Sequence, residues 1–395
     1  MHGIPTLNAL RHPRRARRVW THARMLCTAG LGLAGLILSS CSTGDATAPA
    51  PQIAEHSVTG PEAMRRTGAA LIESLDEGQR ELIMFALADT SARTNWSNLP
   101  DVLFDRGGLR TGDMSAEQRL QLHDLLRASS SSQGYLKLAG IMWLDDILRE
   151  EALAQGDPGE GFRGRLIESW RTENYYVSIF GDPATDEDWA WLITGHHMAA
   201  SFTVSGENVA FTPMFLGAEP YTIEGGPYAG WRILSHEVER GFALLQSLTA
   251  AQQSQAVLSE DVPRDILSGP GRKGSLAQLE GIQASALNAA QRQHLDYLIR
   301  EYVRNADHAA AVAQLRKIEA DGPDSLYFAW MGPTDDFDAR YYYRVHGPSI
   351  LIEYVREHGV GAHAPANHIH TIVRDPSNDY GEDWLGLHYQ EHHER

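Results

Sequence analysis

The sequence predicts an α+β fold, because helical runs precede strand runs twice along the chain. Apolar residues recur at three- and four-residue spacing over 62–90, 115–130 and 136–155, which is the period of amphipathic helices. Segments rich in Tyr, Trp, Val, Ile and Phe then follow, bounded by Gly, Pro and Asp, which is typical of strands. Since helices and strands are segregated rather than alternating, we expect a mostly antiparallel sheet with helical layers.

The same order of elements returns in the second half of the chain. Helices are expected there at 232–248, 250–258, 288–303 and 306–319. Strands are expected at 174–180, 187–197, 199–204 and 208–214, and again at 325–331, 339–346, 349–356 and 367–374. Ser115 followed by Gln118 resembles a capping box and predicts a helix start there.

Short similar segments recur at one constant offset, which predicts an internal duplication. Segment 71–75 aligns with 244–248 at an offset of 173 residues, and Gln118-Arg119 aligns with Gln291-Arg292 at that same offset. We therefore expect two degenerate copies, over 62–215 and 232–390, that form one domain about a pseudo-twofold axis. So long a period excludes a solenoid. The seam between such halves is a cleft, where active sites often lie.

The N-terminal segment predicts export. Residues 1–40 contain six arginines and no acidic residue, and an apolar run follows from about Met25 to Leu38. This run is too short to span a bilayer comfortably and has the form of a secretory signal. The residues that lead to Cys41 resemble the lipobox of bacterial lipoproteins, which implies cleavage before Cys41 and its lipidation. We expect 41–61, rich in Ala, Pro, Ser and Thr, to be a flexible tether.

Export and lipidation predict where the protein is located and which cysteine thiols it keeps. We expect a protein anchored to the cell envelope, on the periplasmic side of the outer membrane in a Gram-negative cell. The other cysteine, Cys27, would leave with the signal, so thiol catalysis and metal ligation by cysteine are excluded. Loss of residues 1–40 changes the formal net charge from −17 to −23. A chain this acidic repels nucleic acid, and we expect no such partner.

The distribution of the histidines indicates where the functional site lies, because eight of the 18 are in the last fifty residues. His368 and His370 alternate on an expected strand and therefore share one face. His196 and His197 lie on another expected strand, where neighbouring side chains point to opposite faces. Only one of the two could then join the others, unless a bulge intervenes.

Three further residues are candidates to complete a metal site: His388 and the carboxylates Glu353 and Asp379. Three histidines with an open position suit zinc or copper, whereas two histidines with a carboxylate suit iron. The sequence therefore predicts a divalent metal site but does not distinguish zinc, copper and iron.

Several blocks, in order over most of 62–390, resemble the bacterial family labelled domain of unknown function 3500. The blocks are Gly195-His196-His197, Thr212-Pro213, Phe215–Pro220, Gly347-Pro348-Ser349 with Ile352-Glu353, and Asn367–Gly381. The resemblance is consistent with export and implies no established reaction.

The leading hypothesis is an exported, metal-dependent enzyme that acts on a small molecule by hydrolysis or oxidation. His197, His368 and His370 would be ligands, with His196 and His388 as further candidates. Glu353 or Asp379 would be a ligand or general base, and Arg374 would orient the substrate.

Several alternatives stay open from the sequence. In a metal-free variant, His197 pairs with Glu353 or Asp379 for acid–base catalysis. The protein could also capture a metal or small ligand without catalysis, or have a structural role in the envelope. Alternating aromatic residues on expected strands form either a pocket wall or core. They are Trp189, Trp191, Tyr341 and Tyr343. The oligomeric state is not determined.

Overall fold

In the computed structural model, which describes residues 59–358 and 366–386, thirteen strands form one mixed, mostly antiparallel sheet. The strands are β1 (Met84–Phe85), β2 (Leu109–Arg110), β3 (Tyr176–Phe180), β4 (Asp188–Gly195), β5 (Met198–Ser205), β6 (Asn208–Ala210), β7 (Met214–Ala218), β8 (Val257–Ser259), β9 (Ile282–Gln283), β10 (Tyr327–Met331), β11 (Tyr342–His346), β12 (Leu351–Glu357) and β13 (His368–Arg374). Together with the helices they confirm the predicted α+β class.

In each half of the chain, the α-helices of the described residues precede the longer strands and have the short strands β1, β2, β8 and β9 among them. They are α1 (Pro61–Glu73), α2 (Glu77–Ile83), α3 (Thr90–Arg93), α4 (Ala116–Ser129), α5 (Ser132–Ala154), α6 (Phe162–Ser169), α7 (Ser235–Ser247), α8 (Ala250–Ala256), α9 (Ala289–Val303) and α10 (His308–Asp321). Short 3-10 turns occupy Thr111–Asp113, Gly226–Tyr228, Ala284–Ala286 and Asp379–Gly381. None of these helices is long and apolar enough to span a bilayer.

Two predicted elements are divided in the structure. The helix expected over 62–90 ends at Glu73, because the Asp76 side chain caps a new helix by accepting from the Gln79 N–H. The strand expected over 208–214 is interrupted between β6 and β7 at Pro213, which has no N–H to donate to a ladder. Helix α6 was not predicted. The expected capping box at Ser115 and Gln118 is confirmed.

The sheet has the strand order β1-β3-β4-β5-β7-β13-β12-β11-β10-β8. Strands β7 and β13 are its central antiparallel pair, with Ala218 opposite Ile369 and Gly217 opposite His370. Parallel pairing occurs at the two outer positions, between β1 and β3 and between β8 and β10. The described residues all lie within one unit, Glu55–Arg395, which contains both predicted halves.

Alternate side chains of each strand enter different cores. Trp189, Trp191 and Ile193 pack with the helices, whereas Ala190 and Leu192 face the smaller core beneath the loops. The four alternating aromatic side chains considered above belong to the larger core and have no exposed area. They are therefore core residues and do not form a pocket wall.

Polar side chains come together at one end of the central strands. Strands β7 and β12 end there and β13 begins there, since Glu357 pairs with His368. The turn between β4 and β5 joins them, because Met198 pairs with Leu216 of β7. Helix α5 contacts this region through β5 and β7, and residues 262–268 pack against the opposite face of the sheet.

Candidate metal centre

Three imidazoles converge at this end of the sheet. His368 and His370 lie two residues apart on β13, and the turn between β4 and β5 contributes His197. The Nε2 atom of His368 lies 2.9 Å from Nε2 of His197 and 2.8 Å from Nε2 of His370. The rings of His197 and His370 are buried, and the His368 side chain is 13% exposed. The predicted convergence of these three residues is therefore present in the fold.

The position of His196 and His197 corrects one expectation. Strand β4 ends at Gly195 and β5 begins at Met198, so the two histidines form a two-residue turn rather than part of a strand. His197 has a φ of 62°, as at the second central position of a type II turn. Turn residues do not alternate between sheet faces, and the two rings lie together with centroids 3.7 Å apart.

Gly217 leaves the space in which the imidazole rings converge. Its N–H donates to the His197 carbonyl over 2.7 Å, and its partner across the β7–β13 pair is His370. A β-carbon at this position would lie 2.9 Å from the Cδ2 atoms of both His197 and His370. Only glycine therefore allows both rings to approach this strand closely.

Two carboxylates orient the His370 ring. Its Nδ1 lies 2.9 Å from Asp265 Oδ1 and 3.3 Å from Glu357 Oε1, which leaves Nε2 for the centre. Asn98 donates to the other oxygen of Asp265. Carboxylates in this position hold the tautomer of a metal-binding histidine and raise its basicity.

The same carboxylates control the charge of His370. Burial disfavours its charged form, but the hydrogen bonds and charges of Asp265 and Glu357 outweigh burial and raise its pKa to about 10. Burial also disfavours the Asp265 carboxylate, yet hydrogen bonds from His370, the Ile266 N–H and Asn98 lower its pKa.

His197 and His368 remain neutral at pH 7. Burial and then the charge of His370 lower the pKa of His368 to about 4, although Glu219 opposes this shift. The Glu219 carboxylate lies 3.8 Å from Nδ1 of His368. Burial and the neighbouring histidines place the pKa of His197 well below its usual value. Neutral imidazole is the form that binds metals.

His196 has a separate set of partners beside the centre. Its Nδ1 lies 2.7 Å from Asp145 Oδ1 of helix α5, and Tyr175 donates to the other oxygen of Asp145 over 2.8 Å. The Trp170 ring is nearly parallel to the imidazole, at an angle of 13° and a centroid distance of 6.3 Å. Helix α5 thus holds His196 against His197 from the helical side of the sheet.

Three groups of side chains among the described residues could hold a metal ion. They are His197 with His368 and His370, Asp145 with His196 and His197, and Asp265 with Glu357 and His370. The first consists of three buried or nearly buried imidazoles. The other two each share one histidine with it, so the three groups form one continuous cluster.

The buried Glu353 has partners of its own. It accepts hydrogen bonds from the Leu267 and Ser268 N–H groups over 2.7 and 2.8 Å, and from Tyr342 Oη over 2.7 Å. These bonds hold the loop that presents Asp265 to His370. Glu353 belongs to none of the three groups above, so its contacts indicate a positioning role. Its predicted role as general base stays a prediction.

Arg374 binds the same loop and is paired with Asp379. Arg374 donates to the carbonyls of Ser268 and Gly269 and forms a buried ion pair with Asp379. Asp379 is likewise in none of the candidate metal groups. The predicted catalytic roles of both residues stay predictions. His388 and Cys41 lie outside the described residues.

Sequence reasoning missed several residues of the centre. They are Asp145, Trp170, Gly217, Glu219, Asp265 and Glu357. Gly217 and Glu219 lie in a block that carries the family resemblance, and this signal could have identified them. Asp265 lies in an irregular segment, where no periodic pattern indicates which way a side chain points.

Comparison with protein families supports the resemblance. Residues 59–382 match the family described as "Protein of unknown function (DUF3500)". Because the match covers most of the chain, the protein belongs to this family. Comparisons with curated proteins and with solved structures find no match.

Proposed function

We propose that this member of the DUF3500 family is an exported lipoprotein that binds a divalent transition metal through His197, His368 and His370. The ion would serve hydrolytic or oxidative chemistry on a small molecule. The observation that carries the proposal is the convergence of three Nε2 atoms at separations of 2.9 and 2.8 Å.

Hydrogen bonding alone accounts poorly for this arrangement. One ring nitrogen carries either one proton or one lone pair, so His368 Nε2 can form only one well-directed hydrogen bond. A metal cation that displaces the Nε2 proton of His370 accepts the lone pairs of all three nitrogens together. A tetrahedral ion about 2.0 Å from each nitrogen requires separations of about 3.3 Å. That is a fraction of an ångström more than observed, so small ring movements would suffice.

The ligand set favours zinc or copper. Imidazole nitrogens suit both ions once the ion has displaced the proton of His370, and three protein ligands leave a coordination position for water or substrate. Asp265 and Glu357 on His370 Nδ1 resemble the outer carboxylates that commonly support such ligands. Iron would require a carboxylate in place of one histidine.

Capture of a metal without catalysis is the second candidate. It is favoured by the adjacent group of Asp145, His196 and His197, which could supply a further ligand. A fourth protein ligand would close the coordination shell, and closed shells are typical of structural or storage sites.

We also infer that the domain arose by duplication and that the centre lies at its seam. Equivalent contacts recur at an offset of 173 residues. The Gln79–Gln118 pair corresponds to Gln252–Gln291, and Gln118→Ser74 corresponds to Gln291→Ser247. The strand order is also symmetric about the β7–β13 pair. His197 would then belong to one half, and His368 and His370 to the other.

The metal assignment is tested by elemental analysis of protein purified without an affinity tag. We expect about one equivalent in the wild type and loss of the ion in a His368→Ala/His370→Ala variant that keeps its circular dichroism spectrum. A His294→Ala/His308→Ala variant, altered on helices α9 and α10, is the matched control. Equal metal content in the wild type and the first variant would refute the assignment.

The lipoprotein assignment has an independent test. A Cys41→Ser variant, expressed with a radiolabelled fatty acid, should lose both the label and the membrane association of the wild type. Labelling that persists in this variant would show that Cys41 is not the anchor.

A further inference from the structure

An open groove runs between helices α9 and α10 at the protein surface. It consists of two adjoining cavities of about 490 and 530 Å³, which share Arg300, Val312 and Leu315 as lining residues. The last two belong to its apolar floor. Along α9 the groove extends from Arg292 to Arg304, a distance of about 18 Å of helix. We call this feature the α9–α10 groove.

The charged side chains of the α9–α10 groove are mainly basic. Four arginines line it, with only two carboxylates, Asp296 and Glu319, whereas the whole chain has a formal net charge of −17. Arg300 pairs with Asp296. The exposed Arg304 and Arg316 form no ion pair with any described residue. Their guanidinium groups are therefore available to an anionic partner.

The chain enters the folded domain at one end of this groove. At the start of the described residues, the Gly60 N–H donates to the Ala128 carbonyl over 3.0 Å. A β-carbon on Gly60 would lie 3.8 Å from Asp307, the N-cap of α10. Ala306 and His308, on either side of Asp307, line the groove. The predicted tether is therefore attached beside the groove.

The predicted lipid anchor is close enough to bring a bilayer to the groove. Cys41 precedes Gly60 by about 20 residues, and a flexible chain of that length has an end-to-end distance of about 25 Å. Anionic phospholipids give a bilayer surface a negative potential, which attracts nearby arginines. The most basic groove would thus lie beside the one segment that a membrane would hold.

We propose that the α9–α10 groove docks on the anionic phospholipid head groups of the bilayer that holds the lipid anchor. Arg304 and Arg316 bind lipid phosphates there, while the acidic remainder of the domain faces away from the bilayer. This docking rests on the proposed acylation of Cys41 and is independent of the metal.

Docking in this way would keep the histidine centre clear of the head groups. Helix α10 contacts the end of β13 that is remote from His368, since Lys317 forms an ion pair with Asp375 just beyond that strand. About 20 Å of strand separates the centre from this end. A bound membrane therefore leaves the candidate ligands open to the aqueous phase.

Modification by phenylglyoxal, a reagent for accessible arginines, tests the contact on the acylated full-length protein in lipid vesicles. One arginine near an anionic surface is worth about a fivefold change in binding. Arg304 and Arg316 should therefore react about fivefold more slowly with phosphatidylglycerol in the vesicles than with phosphatidylcholine alone, as read by peptide mass spectrometry. This protection should disappear at about 1 M salt, where the Debye length is about 3 Å. Arg163 and Arg165, exposed on α6, should react equally in both.

Matched variants show whether the groove acts as a unit. Arg304→Gln/Arg316→Gln should remove the protection of the remaining groove residue Arg292, whereas Arg163→Gln/Arg165→Gln should leave it unchanged. Equal reaction rates in the two kinds of vesicle would overturn the docking, whether or not the protein is acylated. Equal protection of the α6 arginines would also overturn it. So would equal protection by inorganic phosphate, which would show a site for a free anion. Protected groove arginines in an unacylated chain would refute the lipid anchor and support the groove.

Discussion

Gly217 lies directly opposite His370 in the central strand pair, and the absence of a side chain there leaves space for the His370 ring. The same space accommodates His197, whose carbonyl accepts from the Gly217 N–H. A backbone position of the sheet therefore determines how closely two candidate ligands approach.

Gly217→Ala should disturb the centre. The added β-carbon would lie 2.9 Å from both ring carbons, closer than contacting carbons ordinarily come. We expect metal affinity to fall at least about tenfold and metal-free stability to fall by about 1–3 kcal/mol, as for other overpacked cores. Chelator competition and urea unfolding measure the two effects. Gly225→Ala, where a β-carbon meets nothing within 4 Å, should change neither.

Asp265→Asn should weaken metal binding without unfolding the protein. The amide cannot supply the charge that the carboxylate places on His370 Nδ1, 2.9 Å away. Loss of an outer carboxylate commonly lowers metal affinity about 10–100-fold. Chelator competition measures this change, and the exposed Asp261→Asn is the control. Unchanged affinity in the Asp265 variant would mean that this carboxylate does not support a ligand.

Glu353→Gln distinguishes a positioning role from a catalytic one. Glu353 accepts from two backbone N–H groups of the loop that carries Asp265. The amide NH₂ cannot accept, so at least one buried donor loses its partner, and we expect a stability loss of about 1–3 kcal/mol. Metal affinity should fall with it, because the loop loosens.

Urea unfolding and chelator competition on the Glu353 variant provide the measurement. Full stability and metal affinity, with loss of activity alone, would instead support the general-base prediction. Glu207→Gln, at an exposed position, is the matched control.

Lys137→Met should destabilise the helical layer. The Lys137 ammonium lies 2.6 Å from Glu237 and 2.8 Å from Glu301, and all three side chains are at most 6% exposed. Removal of the cation leaves the buried Glu237 carboxylate without its ion-pair partner, whereas Glu301 keeps Arg240 at 3.0 Å. Loss of a buried partner typically costs about 3–5 kcal/mol. Thermal and urea unfolding would detect this loss. Lys273→Met, from an ion pair whose side chains are 40% and 46% exposed, should cost under about 1 kcal/mol.

The sequence indicated most of the long helices and strands within a few residues, because their signals are local. Apolar spacing predicted α4, α5 and α9, and strand composition predicted β4, β5 and β13. It did not indicate where His196 and His197 leave the strand. That boundary depends on the two-residue connection between β4 and β5, which the neighbouring strand β7 supports through Gly217.

The sequence by itself determined that His368 and His370 share a face, since strand geometry alone requires it. Only the tertiary structure decided that His197 meets them, that Asp265 and Glu357 orient His370, and that Glu353 and Arg374 hold the loop of Asp265. The reason is physical. Alternation along a strand acts over neighbouring residues, whereas this centre is assembled from chain segments far apart in sequence. Strand pairing, a turn and a loop crossing the sheet bring them together, and no local pattern encodes those contacts.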